Sequence, residues 1–453
     1  MDFLQIQNGA VVRENGEPIR LRGTNIGAWM NMENFMNGMP GSEHRMRETA
    51  RQTLGEEMGS WFFTSMLSHF FTEQDVRYMK SLGMNFLRIP LNYRWFEDDM
   101  APYVYKEEGF AMLDTALDWC EKYEVYAVLD LHAVQGWQSS DWHCDNSCRT
   151  ALFWRMKDFQ ERYFALWKVL AARYKDRSVV AGYDIMNEPC TMNDYGRLPL
   201  IPYQARWKDM NAIYHRVTEE IRSVDPRHIL IIEGDDYSRR FCGLDAPWDE
   251  NLMISSHAYT TLFDHPEITS DQGKREYLRK EFLESEGYKY STLHNVPLWV
   301  SEFSFLPDQV EVYEENNVHW TTWSLKGCDD FFLLSPKKER PYRTLTEPVA
   351  RKALICMPEW GGEYNRTLRE QLNNTADLLK KTVDYRRFDN AENPMFFMMT
   401  VGDVYYNNLL QYPYIELFQG MDREEIDAVM ADFDTENCAI NTELEDRFRK
   451  YCL

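Results

Sequence analysis

Short apolar runs recur along the chain, separated by longer stretches with helical periodicity. Eight runs stand out: "IRLRGTNIG" (19–27), "NFLRIPL" (85–91), "VYAVLDLH" (125–132), "VVAGYDIMNE" (179–188), "HILIIEG" (228–234), "NLMISSHAY" (251–259), "VPLWVSEF" (296–303) and "VHWTTWSL" (318–325). They are nearly continuous in apolar residues rather than alternating, which is the pattern of strands buried on both faces of a parallel sheet. The stretches between them carry helix signals. Thr72 with Asp75 three residues on marks a helix start, and Gly83 marks its end. Residues 202–225 put Trp207, Met210, Ile213, Val217 and Ile221 on one face and stop at Asp225-Pro226. Eight β-then-α units predict an α/β chain folded as a (β/α)8 TIM barrel over residues 1–350.

Residues 351–453 are expected to form a helical C-terminal extension packed on the barrel, with part of the stretch from 327 supplying the last barrel helix. "TLREQLNNTADLLKKTVDYRRF" and "DREEIDAVMADF" read as helices. Between them, "NPMFFMMTVGDVYYNNLLQYPYIELF" is dense in Met, Phe and Tyr. That composition suits core packing, a lid over the barrel mouth, or a subunit interface, so an oligomer built through the extension is one expectation.

Composition narrows the partners. With 44% hydrophobic residues over 453 positions, the chain can bury a large core. A formal net charge of −23 argues against nucleic acid and against an anionic membrane as partners. The N-terminus lacks a basic start followed by an apolar core, and no apolar run reaches the roughly 20 residues of a membrane span. The nine scattered cysteines read as reduced thiols, which predicts a cytoplasmic protein.

Barrel enzymes carry their chemistry where the strands end. Here the strand ends hold Asn25, Arg88, His132, Asn187-Glu188, His257, Tyr259, Glu302 and Trp323. Glu188 closes an apolar strand, where an unpaired carboxylate is costly unless it is put to use. Glu188 and Glu302, on the fourth and seventh runs, face each other across the predicted mouth. Two carboxyl groups flanking one bond are what glycoside hydrolysis needs, one to protonate the leaving oxygen and one to attack or support the anomeric carbon. Trp323 offers a flat apolar face to a sugar ring.

The motifs "FLRIP", "LDLH", "MNEP", "SSHAY", "WVSEF" and "TTWSLK", in this order over roughly residues 18–326, make the chain resemble glycoside hydrolase family 5, the cellulase-type retaining family. The resemblance implies that Glu188 is the general acid/base and Glu302 the nucleophile. It implies that Asn187 bonds the sugar 2-hydroxyl, that Arg88 and Tyr259 hold Glu302 ionised, and that the charge of Glu302 keeps Glu188 protonated. His132 and His257 would line the site, with Trp323 as the platform. No metal or organic cofactor is implied.

Two stretches resemble the family's branch of exo-acting β-glucanases and related β-glycosidases. "NIGAWMNMENFM" carries Gly27, Trp29 and Glu33 in a Gly-x-Trp-x-x-x-Glu pattern, which in that branch brings a carboxylate to the terminal sugar. In "AVQGWQSSDWHCDNSCRTALFW", Trp137, Trp142, His143, Asp145 and Asn146 are expected to wall off a pocket. Asp141, His143, Cys144, Asp145 and Cys148 in the same loop match no zinc spacing. The expectation is a retaining exo-β-glycosidase acting on terminal β-mannoside or β-glucoside residues of a neutral oligosaccharide. The alternatives are an endo-β-1,4-glucanase or mannanase and, from another class, an inactive sugar-binding barrel.

Overall fold

All eight apolar runs enter one closed parallel barrel. The computed structural model describes residues 1–192, 204–353 and 405–453, with scattered positions between 367 and 381. An N-terminal hairpin of β1 (Gln5–Gln7) and β2 (Ala10–Val12) precedes the barrel strands. These are β3 (Arg22–Asn25), β4 (Phe86–Asn92), β5 (Tyr126–Ala133), β6 (Val180–Asp184), β7 (Ile229–Glu233), β8 (Leu252–Ala258), β9 (Leu298–Phe303) and β10 (His319–Thr322). The ring closes where Trp320 of β10 pairs with Arg22 of β3.

Two apolar layers hold the barrel. Leu21, Phe86, Tyr126, Val128, Ile229, Met253 and Trp299 fill the lower interior, and Leu4, Val11 and Ile19 of the N-terminal segment plug that end. Outside the strands a larger core joins them to the helices. The helix over 207–222 buries Met210, Ile213, Val217 and Ile221, as its periodicity predicts. The helix Glu73–Ser81 begins at Thr72, whose backbone N–H donates to Asp75 at 2.8 Å, and Gly83 follows in a left-handed conformation at φ 83°.

The C-terminal chain is built into the barrel rather than laid upon it. β11 (Leu334–Pro336) pairs antiparallel with β12 (Cys438–Ile440). The helix Thr442–Cys452 then lies over the β10–β3 seam: Phe448 packs on Phe305 and Trp320, Lys450 meets Glu311, and Arg449 reaches the Ser81 carbonyl. This helix takes the place of the eighth barrel helix, which corrects the expectation that residues just after 327 supply it. The helix Pro341–Ala350 packs instead on Asn407–Ile415 and Arg423–Met430. The 422–433 helix reading holds over Arg423–Met430, whereas most of 367–388 and all of the Met- and Phe-rich 393–404 lie outside the described residues. The described cysteines form no disulfide. Among the described residues, no helix is long and apolar enough to cross a membrane.

Candidate active site

Arg88 on β4 is the hub of the barrel mouth. It is fully buried, and its guanidinium is shared by carboxylates from four strands: Asp130 of β5 at 3.2 Å, Asp184 of β6 at 2.9 Å, Glu233 of β7 at 2.9 Å and Glu302 of β9 at 2.7 Å. Nη2 also donates to Asn187 Oδ1 at 2.8 Å. A buried guanidinium needs such partners, and its planar fork lets one side chain orient several acceptors. The negative charge is not spread evenly. Burial, with Glu233 beside it, pushes the Asp184 carboxyl far above the usual range.

Glu302 is held at both oxygens. Arg88 Nη1 donates to Oε1, and the Tyr259 hydroxyl donates to Oε2 at 2.9 Å. Burial pushes the Tyr259 hydroxyl far up, so it remains a donor.

Glu188 sits just beyond β6 with φ at 43°, a left-handed conformation unusual for a residue with a side chain. Its N–H is pinned to Glu233 Oε2 at 2.7 Å. The carboxyl group lies between two imidazoles, with His257 Nδ1 2.7 Å from Oε1 and His143 Nε2 3.4 Å from Oε2. Burial works to raise the Glu188 pKa, but His143 and His257 outweigh it and bring it down to about 2. Burial opposes charge on His257 too, yet Glu302 and Glu233 drive its pKa well up. The charged form is thus favoured on both His257 and Glu188, which share one short hydrogen bond. The two imidazoles act against the protonation of Glu188 that the resemblance implies from the charge of Glu302. That expectation counted the carboxylates and left out the imidazoles.

One oxygen of Glu188, one of Glu302 and a ring nitrogen of His257 lie within 4.8 Å of one another. The nearest oxygens of the two carboxyl groups are thus close enough for both groups to act on one bond. The three groups could be taken for metal ligands. Both Glu302 oxygens are engaged by Arg88 and Tyr259, and Glu188 Oε1 is engaged by His257 Nδ1.

One wall of the site is aromatic. Trp323 stacks on His132 with centroids 5.3 Å apart and planes at 11°, and His132 Nδ1 is fixed by Asp130 at 2.6 Å. Gly27 lets Trp323 sit there, because a Cβ at Gly27 would fall 2.8 Å from the indole. Glu33 is buried with Oε1 3.5 Å from His132 Nε2, and burial raises its pKa. Trp29 of the same motif belongs to the core, its indole N–H bonded to the Leu67 carbonyl.

The long loop after β5 divides the expected pocket residues. Asp145 is fully buried and accepts from the His44 backbone N–H and ring at 3.0 and 2.9 Å and from Asn92 at 3.1 Å. Asn146 donates to the carbonyls of Ser139 and Thr150 and accepts from the Cys148 N–H. Both are spent on holding the loop, so their polar atoms are unavailable to a sugar. Trp137 is half-buried and bonds the Asp145 carbonyl. Trp142 is also half-buried, and its indole nitrogen has no hydrogen-bond partner. His143 is the loop residue that reaches Glu188.

Sequence reasoning passed over Asp130, Asp184 and Glu233 as site residues. Each interrupts an apolar strand buried on both faces, where a charge needs a partner, and Arg88 is the partner within reach.

A closed eight-stranded barrel with paired, differently held carboxyl groups at its mouth defines a glycoside hydrolase. A family model described as Cellulase (glycosyl hydrolase family 5) matches residues 46–329, and the chain belongs to that family. It is 32% identical to a protein named Beta-xylosidase from Phanerodontia chrysosporium, covering 97% of this chain and 96% of the relative. It is 27% identical to Glucan 1,3-beta-glucosidase 1 of Schizosaccharomyces pombe over 68% of this chain and 83% of that one, and 26% identical to Endoglucanase C of Acetivibrio thermocellus over 46% and 58%. Among solved structures, an endogalactoceramidase shares the fold with a TM-score of 0.53 at 16% identity, covering 73% of this chain and 76% of that chain.

Proposed function

We propose that this chain is a retaining, exo-acting β-glycosidase that removes the terminal residue from short β-linked oligosaccharides or glycosides. In this reading Glu302 attacks the anomeric carbon while Glu188, taking its proton from His257, protonates the leaving oxygen. The emptied Glu188 then draws a proton from water to release the sugar. Asn187, with its side-chain oxygen fixed by Arg88 and its nitrogen 3.2 Å from His132 Nε2, is the residue offered to the 2-hydroxyl, and Trp323 carries the ring.

The observation that carries exo action is Glu33. Its carboxyl group is buried beside His132 on the same wall as Trp323, where a terminal sugar presents hydroxyls and a longer chain would need open space. The immobilised loop after β5 adds to that enclosure. The sequence favours a glucoside or mannoside as the terminal residue, and the name of the 32%-identical relative adds a xyloside.

A panel of aryl β-xyloside, β-glucoside and β-mannoside with xylo-, cello-, manno- and laminaritetraose, read by product chromatography, tests this. Stepwise release of one monosaccharide is expected. Mid-sized products from the first turnover would replace the exo reading with endo action.

A further inference from the structure

We infer that His143 is a leaving-group residue, donating a hydrogen bond from Nε2 to a hydroxyl beside the scissile oxygen, so that the enzyme prefers sugar leaving groups to plain alcohols. The inference rests on the glycosidase reading above and extends it to the other side of the cleaved bond.

Three observations converge. First, His143 is 7% exposed, and its Nε2 has no hydrogen-bond partner. A buried polar atom left open at the mouth of a site is satisfied by what binds there. The nitrogen faces a Glu188 oxygen at 3.4 Å, longer than a normal hydrogen bond. Beside a carboxylate a bare ring nitrogen would be repelled, so Nε2 carries the proton and is a donor.

Second, the two Glu188 oxygens are unlike. Oε1 is bonded to His257 at 2.7 Å, whereas Oε2 is bordered only loosely, by His143. The leaving oxygen meets the less engaged oxygen and so arrives next to His143. The ring lies edge-on to His132, which lines the sugar wall, and edge-on to Tyr237 on its other side, both at 6.1 Å. His143 thus stands astride the bond to be cut.

Third, the position is built. The His143 carbonyl accepts from Asn31 at 2.8 Å. Asp141, two residues earlier, binds Arg149 at 2.7 Å and receives the Tyr237 hydroxyl. Asp145, two residues later, is locked by His44 and Asn92. Tyr237 itself is the middle of three consecutive left-handed residues, Asp236, Tyr237 and Ser238, at φ 54°, 60° and 58°. Such a run is strained, and it is kept where it sets a ring against His143.

The test uses two substrates with each glycone, xylose, glucose and mannose: the β-1,4-linked disaccharide and the cyclohexyl β-glycoside. Both leaving groups need protonation by Glu188, and only the disaccharide offers neighbouring hydroxyls. His143→Phe keeps the ring contacts and removes the donor. It is expected to change kcat/KM on both substrates to the extent that His143 sets the acidity of Glu188, and to lower the disaccharide about 10- to 100-fold further than the cyclohexyl glycoside. His143→Gln, which restores a donor, is expected to recover part of the loss and guards against misfolding of the first variant. An equal loss on both substrates would mean that His143 acts through the acidity of Glu188 and would overturn the inference, as would no loss on either. Wild-type protein that cleaves neither substrate with any glycone would instead remove the glycosidase reading beneath it.

Discussion

At the scale of single residues, the meeting of Glu188 and Glu302 at the barrel mouth was legible and the groups packed around them were not. Arg88, Tyr259 and Glu302 meet as the motifs imply, because each ends a strand whose register is fixed by the barrel. The polar loop residues were not separable by composition. Asp145, Asn146 and His143 occupy neighbouring positions, yet two close the loop's own hydrogen bonds and one faces the chemistry. Replacing Glu302 with Gln is expected to lower kcat by at least about 10³-fold with folding intact, measured by steady-state kinetics beside thermal unfolding. Replacing Glu188 with Ala is expected to abolish cleavage of the disaccharide and to spare bond cleavage in a dinitrophenyl glycoside, which departs without protonation. Added azide should then yield the β-glycosyl azide; an α-product would exclude retention. His319 makes a separate prediction. Its burial, with Arg20 and Arg22 nearby, lowers its pKa to about 3, and its Nδ1 accepts from the Leu21 N–H at 3.1 Å. The unfolded imidazole takes up its proton near 6.5, so between pH 6.5 and 3 the unfolded chain binds more protons. This contribution is full above that window and falls as pH drops through it, by up to about 1.4 kcal/mol per pH unit. Urea unfolding of His319→Asn, which keeps an acceptor that does not titrate, should show a correspondingly shallower acid dependence than wild type.

At the scale of elements, the eight strands were readable because parallel strands covered on both faces become unbroken apolar runs. The helix Thr442–Cys452 was recognisable as neither a barrel helix nor a neighbour of β10, since its place is set by contacts with residues far away in the chain. A second long-range contact ties these parts together. Lys326, just past β10, is fully buried against Asp75 at 2.7 Å and donates to the Phe433 carbonyl at 2.8 Å. Thr435 donates to the same Asp75 oxygen, and the other oxygen caps the helix at Thr72. Lys326→Met leaves a buried carboxylate without its cation and is expected to destabilise the protein by about 3–5 kcal/mol in urea unfolding, with KM unchanged in the surviving native fraction. A loss under 1 kcal/mol would mean that Asp75 is satisfied without the lysine.

At the scale of the whole molecule, barrel and extension share one core. Tyr342 bonds Tyr414 at 2.8 Å and the Asn37 carbonyl at 2.7 Å, and Phe418 packs on Phe62. The alignment with the relative named Beta-xylosidase spans 97% of the chain and so takes in this extension, whereas the endoglucanase alignment spans 46%. The order of synthesis gives the closing helix a further consequence. A ribosome makes Trp320 and Phe305 long before it makes Phe448, their aromatic cover. Until residues 442–452 emerge, a nascent barrel presents an oily seam between its first and last strands, open to chaperones or to another unfinished copy. The helix Thr442–Cys452 is therefore a clasp made later than the strands it closes.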